Sequence, residues 1–325
     1  MGKEIDSNEM EPGSKDISIV VFANRKDFFL TKLCITSIRL YYPDVQILLV
    51  KDKLNGDFNT RRLRKVHNVE ILDLGKKYYG WGAAKIHFLL KDNLPKRRYL
   101  CLDSDIVFVG RVLTKIQNTK GDFVFNPHYL SQPFSRDAID IYFDPDTAKE
   151  SYPGYEYPGY FFNAGQTVVT PGLLKECMLS TTFQTRRYPY YLKTFRCADQ
   201  PILNMVMPVL KKEQNVEMNA VTYMILSPQF FLDSTNNDFE KFINGETEIM
   251  VHYAGDTRNN DLDKMRGNML LKGIKKEYHL KLSRFSRLLD TWQDKICAHQ
   301  KINRILYLRN RIWIELMNKI KYYNY

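Results

Sequence analysis

The chain has 325 residues, of which 44% are hydrophobic and 26% are charged, and its formal net charge is +11. These values are ordinary for globular proteins, so the composition excludes a wholly disordered, collagen-like or low-complexity chain. The five cysteines are scattered, odd in number and without C-x-x-C spacing. This pattern argues against a disulfide scaffold or a zinc ribbon and favours a reducing compartment.

The two ends of the chain differ in charge. Residues 1–16 are polar, carry four acidic side chains before Asp16 and contain no apolar segment like that of a signal peptide, so we expect a flexible tail. Residues 271–325 contain 13 of the 48 basic residues and only four of the 37 acidic ones. Any argument from charge therefore concerns this C-terminal segment. No apolar stretch approaches the roughly 20 residues that cross a bilayer.

The first hundred residues alternate between apolar runs and segments with helical spacing. Continuous β-branched runs predict buried strands, and apolar residues every three or four positions predict helices. Strands are predicted at Ile17–Ala23, Val45–Val50, Val69–Leu72 and Tyr99–Leu102, and helices at Asp27–Tyr42, Asn59–Val66 and Ala83–Lys91. This alternation is typical of an α/β fold with a mostly parallel sheet and helices on both faces.

The later part of the chain alternates less regularly. Asp122–Asn126 and Ile249–His252 predict strands, and Ala164-Gly165 predicts a hairpin or bend between two extended pieces. A helix is predicted over Ala198–Met207, with Asp199 near its N-cap.

Two carboxylates, Asp103 and Asp105, directly follow the fourth predicted strand in the sequence YLCLDSDIVF. Parallel sheets bind ligands at the carboxyl ends of their strands. Carboxylates so close to a core are costly unless they are paired or bound to a metal, and hard divalent cations take oxygen ligands. The pair therefore predicts a divalent metal site, with a plain polar turn as the alternative.

His252 is the candidate third ligand, because it ends a predicted buried strand and precedes a Tyr-Ala-Gly turn that permits close backbone approach. An imidazole beside two carboxylates favours Mn²⁺ over Mg²⁺. A lone histidine of this kind is more often structural, and its combination with Asp-x-Asp favours ligation. The two other Asp-x-Asp pairs, at positions 144/146 and 261/263, lie in polar segments and are expected at the surface.

Four motifs occur in one order along the chain. They are LDSDIVFVG at Leu102–Gly110, FNAG at Phe162–Gly165, ADQPILN at Ala198–Asn204 and HYAG at His252–Gly255. Together they resemble glycosyltransferases of the GT-A fold, in the family that contains glycogenin and the bacterial lipopolysaccharide galactosyl- and glucosyltransferases (family 8). The resemblance covers roughly residues 17 to 255. It implies a GT-A catalytic domain over residues 17–270, a Rossmann-like, mostly parallel sheet flanked by helices, followed by a basic amphipathic helical extension over residues 271–325.

The resemblance also implies roles for individual residues. Asp103, Asp105 and His252 would hold Mn²⁺, with Mg²⁺ as the alternative ion. Asp199 and Gln200 would lie next to the reacting sugar carbon as the catalytic pair. The donor would be bound by Ala23, Asn24, Arg25, Lys85, Asp103, Ser104, Asn163, Ala164, Gly165, Gly255 and Arg258. Arg258 stands where the family usually has a diphosphate-binding lysine, and its planar guanidinium can also clamp a phosphate.

The resemblance implies that the anomeric configuration is retained. Asp199 is the acidic side chain that its motif places near the reacting carbon, and its alternative role is to cap a helix. Inversion would require a base near the acceptor, for which Asp137, Asp140 and Glu156 are candidates.

The basic C-terminal segment combines an apolar stripe with Lys, Arg and aromatic side chains. Its stripe comprises Ile302, Ile305, Leu306, Leu308, Ile312 and Leu316. This pattern is typical of a helix lying on an anionic membrane surface, where a lipid-linked acceptor would be found. The alternatives are a helix packed on the catalytic domain with a solvated basic face, and a nucleic-acid site, which the near-neutral remainder of the chain disfavours.

The sequence thus predicts a metal-dependent glycosyltransferase that moves a sugar from a nucleotide-sugar donor, UDP-linked by resemblance, to a saccharide or lipid-linked acceptor in surface glycan synthesis. We expect a cytoplasmic protein, peripheral on the inner face of a membrane, without nucleic-acid partners. The alternatives are a catalytically silent nucleotide-sugar-binding protein and a sugar nucleotidyltransferase. The latter normally has a Gly-rich loop after its first strand, which the sequence here lacks.

Overall fold

A computed structural model of the chain describes residues 17–80, 82–130, 133–151, 154–175, 199–244, 247–255 and 261–323. The predicted N-terminal tail, residues 1–16, lies outside the described residues. The strands are β1 (Ile17–Asn24), β2 (Ile47–Asp52), β3 (Val69–Ile71), β4 (Arg98–Asp103), β5 (Ile106–Phe108), β6 (Phe123–His128), β7 (Phe161–Val169), β8 (Met218–Ala220), β9 (Met224–Leu226) and β10 (Met250–His252). The α-helices among the described residues are α1 (Phe28–Tyr41), α2 (Arg61–His67), α3 (Ala83–Leu89), α4 (Val112–Gln117), α5 (Arg136–Ile141), α6 (Pro145–Ser151), α7 (Asp199–Gln214), α8 (Ser227–Phe230), α9 (Phe239–Ile243), α10 (Asn268–Leu280), α11 (Arg284–Ala298) and α12 (Gln300–Tyr323).

The large sheet contains seven of the strands in the described residues, in the order β3-β2-β1-β4-β7-β6-β8. β7 runs antiparallel to β4 and β6, and every other neighbouring pair is parallel. β1 and β4 are adjacent although β2 and β3 lie between them in sequence, so the strand order changes direction there. This mostly parallel α/β sheet confirms the predicted fold class.

Helices cover both faces of the large sheet because the central strands are apolar on both sides. In β1, Val20 packs with α3 and α7, whereas Ile19 and Val21 pack with α1 on the other face. All three side chains are fully buried. This arrangement matches the continuous apolar run from which the strand was predicted.

A second, three-stranded sheet has the order β5-β10-β9, with β10 antiparallel to β5 and parallel to β9. β5 follows β4 after two residues, Ser104 and Asp105, so these residues join the two sheets. β10 places His252 opposite Ile106. The predicted late strand is confirmed, and its pairing with β5 is a new finding.

The bend predicted at Ala164-Gly165 is wrong. β7 runs without interruption from Phe161 to Val169, with only a register irregularity in its pairing with β6. Gly165 is needed for space rather than for a turn, as its surroundings in the site show.

The C-terminal helices pack against the body of the protein. In α10, Leu270, Leu271 and Ile274 are buried beside α1, so the domain boundary predicted at residue 270 falls within this helix. α11 is held by Lys32 of α1, whose Nζ lies 2.5 Å from Asp290 and 2.6 Å from Asp294.

Candidate metal centre and adjoining cavity

Two strand ends bring the predicted metal ligands together. Asp103 is the last residue of β4, and Asp105 is the last residue before β5. His252 ends β10, and the next residue, Tyr253, donates its backbone N–H to the carbonyl oxygen of Asp105 at 2.9 Å. One ligand atom from each of Asp103, Asp105 and His252 lies within 4.8 Å of the others. The three side chains can therefore surround a single ion.

The chemistry of this cluster fits a divalent cation. His252 Nε2 lies 3.3 Å from an oxygen of Asp105, and both side chains are almost fully buried. His252 Nδ1 is also buried and has no hydrogen-bond partner among the described residues. Burial raises the pKa of Asp103 to about 6; Lys85 opposes this shift, and the charges of Asp105 and Asp199 reinforce it. Crowded carboxylates beside an imidazole are what an Mn²⁺ or Mg²⁺ ion would neutralise.

Gly165 lies directly against the cluster. A Cβ atom built on it would lie 2.7 Å from His252 Cε1, which is too close for a real side chain, and 3.0 Å from an oxygen of Asp103, which is a tight contact. Its backbone N–H donates to Asn163 Oδ1 at 2.7 Å. The segment containing Asn163, Ala164 and Gly165 thus packs beside the metal ligands.

Lys85 of α3 connects the metal cluster to the start of α7. Its Nζ lies 2.7 Å from Asp103, 2.9 Å from Asp199 and 2.8 Å from the carbonyl oxygen of Ala164. The residue is only 2% exposed. Burial alone would lower the pKa of Lys85, and the two carboxylates raise it above its ordinary value instead. Lys85 is therefore a buried cation shared by two acidic side chains.

The start of α7 is fixed to β7 by amide side chains. Gln200 Oε1 accepts from the backbone N–H of Ala164 at 3.2 Å. Asn204 accepts from the N–H of Phe162 and donates to its carbonyl oxygen, both at 2.8 Å. Sequence reasoning assigned no role to Asn204, although it belongs to the ADQPILN motif. It is a positioning residue that holds α7, and with it Asp199, against β7.

A cavity of about 310 Å³ opens next to the cluster at the carboxyl ends of β1, β2 and β4. Of the predicted site residues, it is lined by Ala23, Asn24, Asp103, Ser104, Asp105 and Asp199. It is also lined by Asp52, Leu54, Asn55, Tyr79, Gly80, Gly82 and Tyr307, which sequence reasoning did not assign to the site. The cavity therefore runs from the metal ligands to the end of β2.

Asp52 lines the end of this cavity that lies away from the metal ligands. It is the last residue of β2, and its carboxylate accepts the backbone N–H groups of Leu54 at 2.9 Å, Tyr79 at 3.0 Å and Gly80 at 2.8 Å. Burial raises the pKa of Asp52, and these three hydrogen bonds oppose the shift. Its position at a strand end is the same signal that identified Asp103, so it could have been found from the sequence.

Six predicted donor-binding residues are not among those that line the cavity: Arg25, Lys85, Asn163, Ala164, Gly165 and Gly255. Arg25 is buried and turned away from it, with its guanidinium donating to Asn303 Oδ1 at 3.1 Å and to the carbonyl oxygens of Asp57 and Ile296. Gly255 borders a neighbouring cavity of about 490 Å³. Arg258 lies outside the described residues.

The other Asp-x-Asp pairs have local roles at the surface. Asp144 accepts the backbone N–H of Asp146 at 3.1 Å, and Asp261 accepts that of Asp263 at 3.2 Å. Asp146, Asp261 and Asp263 are exposed. The expectation that these pairs lie at the surface is confirmed.

No protein-family model matches the chain, and no curated protein matches it. Among solved structures, the chain is similar to the bifunctional glycosyltransferase WbbM, with 16% identity and a TM-score of 0.49 over 82% of this chain and 51% of that chain. It is similar to the galactosyltransferase LgtC in complex with donor and acceptor sugar analogues, with 14% identity and a TM-score of 0.47 over 82% of this chain and 100% of that chain. It is also similar to the glycosyltransferase GlyE of Streptococcus pneumoniae TIGR4, with 16% identity and a TM-score of 0.46 over 86% of this chain and 64% of that chain. The chain thus matches about half the length of WbbM.

Proposed function

We propose that the protein is a metal-dependent glycosyltransferase that moves a sugar from a nucleotide-sugar donor, UDP-linked, to a saccharide or lipid-linked acceptor. One observation carries this proposal. The metal ligands Asp103, Asp105 and His252 and the Lys85–Asp199 ion pair meet at one end of a cavity whose other end is formed by the ends of β1 and β2. A nucleoside diphosphate fits this layout, with its phosphates on an ion held by the metal ligands and its nucleoside over the strand ends.

The leaving group in glycosyl transfer is a diphosphate, on which negative charge develops as the bond to the sugar breaks. A bound Mn²⁺ or Mg²⁺ supplies a Lewis acid for that charge. Asp103, Asp105 and His252 would hold the ion, and the ammonium of Lys85 lies against Asp103, where it would add positive charge nearby.

Retention of configuration is part of the proposal, because Asp199 lines the cavity beside the Lys85 ammonium and, unlike Asp103, is not one of the proposed metal ligands. The bases considered for inversion, Asp137, Asp140 and Glu156, are not among the side chains that line the cavity. Glu156 is exposed and paired with Lys212 at 2.8 Å. The anomeric configuration of the product, read by proton NMR, decides between retention and inversion.

A donor screen tests the proposal. UDP- and GDP-linked sugars are incubated with the purified protein and Mn²⁺, Mg²⁺ or a chelator, and release of the nucleoside diphosphate is followed. We expect release from one donor, strongest with Mn²⁺ and absent with chelator. Metal-dependent binding without release would identify a silent binding protein instead, and no binding of any donor by the folded protein would reject the transferase.

We further propose that α11 and α12 attach the protein to an anionic membrane surface. Each helix packs on the protein by one face and exposes an apolar stripe on the other. The docking surface comprises the six large apolar side chains of α11 and α12 that are more than half exposed: Phe285, Leu288, Trp292, Ile305, Ile312 and Trp313. Among the described residues, no helix is long and apolar enough to cross a membrane. An exposed apolar stripe with basic flanks favours binding at the lipid headgroups.

The charges near this surface support an anionic partner. A cavity of about 590 Å³ next to α10 and α11 is lined by four cationic side chains, Lys272, Lys275, Lys276 and Arg287, and by His279. Asp261 and Asp263 also line it, and Asp263 pairs with Lys272. The remaining positive charge attracts anionic lipid headgroups within a Debye length of the surface.

Vesicle flotation tests the membrane proposal. We expect the protein to float with vesicles containing phosphatidylglycerol at low salt, and to float less at high salt or with neutral vesicles. The double variant Trp292→Ser/Ile312→Ser should lower partitioning about tenfold or more, because it removes two large apolar side chains from the bilayer. Leu232→Ser is the matched control, since Leu232 is 80% exposed and outside the docking surface. Equal binding of all three proteins, or no binding of the wild type, would contradict the proposal.

A further inference from the structure

α12 is anchored beside the loop that follows β2. Asn310 Nδ2 donates to the carbonyl oxygens of Lys53 and Leu54, both at 3.0 Å. Asn303 lies seven residues earlier on the same face of the helix, and its Oδ1 accepts from Arg25 Nε at 3.1 Å. Both asparagines are buried, so these hydrogen bonds fix which face of α12 is turned toward the large sheet.

The loop after β2 contacts α12 on one side and the Asp52 carboxylate on the other. Gly56 has φ +97°, and a Cβ atom built on it would lie 2.5 Å from Leu306 Cδ1 of α12. On the other side, the Asp52 carboxylate accepts the N–H of Leu54 at 2.9 Å. α12, the loop after β2 and the end of β2 therefore pack together as one continuous surface.

Tyr307 lies on the anchored face of α12, four residues after Asn303 and three before Asn310. It lines the 310 Å³ cavity that Asp103 and Asp105 also line, and the neighbouring 490 Å³ cavity. Lys26 and Asn55 border both cavities as well. Tyr307 thus stands at the boundary between the two cavities.

The sheet order places Tyr307 at the opposite end of the cavity from the metal ligands. β1 lies between β4, which carries Asp103, and β2, whose following loop contacts α12. Neighbouring strands are about 4.8 Å apart, so the two ends of the cavity are separated by roughly 10 Å. A diphosphate bound to an ion at Asp103 and Asp105 would leave its nucleoside over the ends of β1 and β2, beside Tyr307.

We propose that Tyr307 packs its ring against the nucleoside of the donor, so that the C-terminal helix completes the nucleotide-binding site. This inference rests on the proposed function. The ring is oriented by Arg311, whose guanidinium lies 5.8 Å from the ring centroid and whose Nη1 is 3.4 Å from the Tyr307 hydroxyl. Aromatic rings bind bases through their faces, and the ring accounts for most of the contact.

Calorimetric titration of UDP and GDP in the presence of Mn²⁺ tests the proposal on the full-length protein. Tyr307→Ala should raise the nucleotide Kd about tenfold to 100-fold, the range expected for loss of one base–aromatic contact. Tyr307→Phe should stay within about twofold of the wild type, because it keeps the ring. Leu308→Ala is the matched control, since Leu308 is the next residue on the same helix and is 48% exposed.

Two further measurements separate a nucleoside contact from a merely structural role. Tyr307→Ala should raise the KM for the donor with little change in kcat, and its Mn²⁺ affinity, measured without nucleotide, should equal that of the wild type. Unchanged nucleotide affinity in Tyr307→Ala would overturn this inference and leave the proposed function standing. No nucleotide binding by the wild type would overturn both, and an equal loss in Tyr307→Ala and Leu308→Ala would overturn the specific contact.

Discussion

Asp105→Ala is expected to abolish metal-dependent sugar transfer, with a fall in kcat of about 10³-fold or more. Lewis-acid stabilisation of a leaving diphosphate is worth several kcal/mol, and each 1.4 kcal/mol changes a rate about tenfold. Asp105 is almost fully buried and lies 3.3 Å from His252, so its removal takes a carboxylate directly from the candidate metal cluster. The rate of donor turnover is measured over a range of Mn²⁺ concentrations.

The control for Asp105→Ala is a chemically identical change in another Asp-x-Asp pair. Asp146 is exposed near the start of α6, and Asp146→Ala should retain wild-type turnover and Mn²⁺ affinity. Asp105→Ala should remain folded, because it removes one of two crowded carboxylates and so relieves repulsion. Turnover of Asp105→Ala at the wild-type rate would show that the Asp103/Asp105/His252 cluster is not the catalytic metal site.

Lys85→Met is expected to lower the free energy of unfolding by about 3–5 kcal/mol and also to remove turnover. The loss is large because the variant leaves Asp103 and Asp199 near one another without their shared cation, and breaking a buried ion pair leaves an uncompensated charge. Lys85 is 2% exposed, and its ammonium lies 2.7 and 2.9 Å from the two carboxylates. Urea unfolding followed by circular dichroism measures the change.

Two variants test the explanation for Lys85. Lys212→Met breaks an exposed ion pair with Glu156 and should leave both unfolding and turnover unchanged. Lys85→Met/Asp199→Asn removes the excess negative charge and should recover part of the stability without recovering turnover. If the single variant were as stable as the wild type, the buried ion pairs would not support the site. If the double variant were less stable than the single one, the uncompensated negative charge would not be the cause of the lower stability of Lys85→Met.

The parts of the fold that depend on local pattern could be predicted from the sequence. The apolar run of β1 and the carboxylates after β4 identified the parallel sheet and its ligand-binding edge. Gly165 was misread, because a glycine in a sequence marks conformational freedom and close packing equally well. Its actual requirement is set by His252 and Asp103, which reach it through tertiary contacts.

The position of α12 beside the cavity could not be predicted from the sequence either, because it also depends on tertiary contacts. Its periodicity shows that one face is apolar, but the side chains that anchor it are the polar Asn303 and Asn310. Their partners are the side chain of Arg25 and two backbone carbonyls, and such contacts cannot be recognised from the hydrophobic periodicity of the helix. Tyr307 was therefore indistinguishable from the other aromatic residues of the C-terminal segment until the helix was placed against the loop after β2.

The small sheet β5-β10-β9 sets the order in which the candidate metal site is completed during synthesis. Asp103 and Asp105 are synthesised with β4 and β5, whereas His252 is synthesised much later with β10. His252 comes close to the two carboxylates only when β10 pairs with β5. Pairing between segments so distant in sequence is slow compared with local folding. A nascent chain that ends before β10 thus carries two carboxylates without the imidazole. If the proposed metal site is correct, full metal affinity would be acquired only when the small sheet closes, and metal uptake would report that this step has occurred.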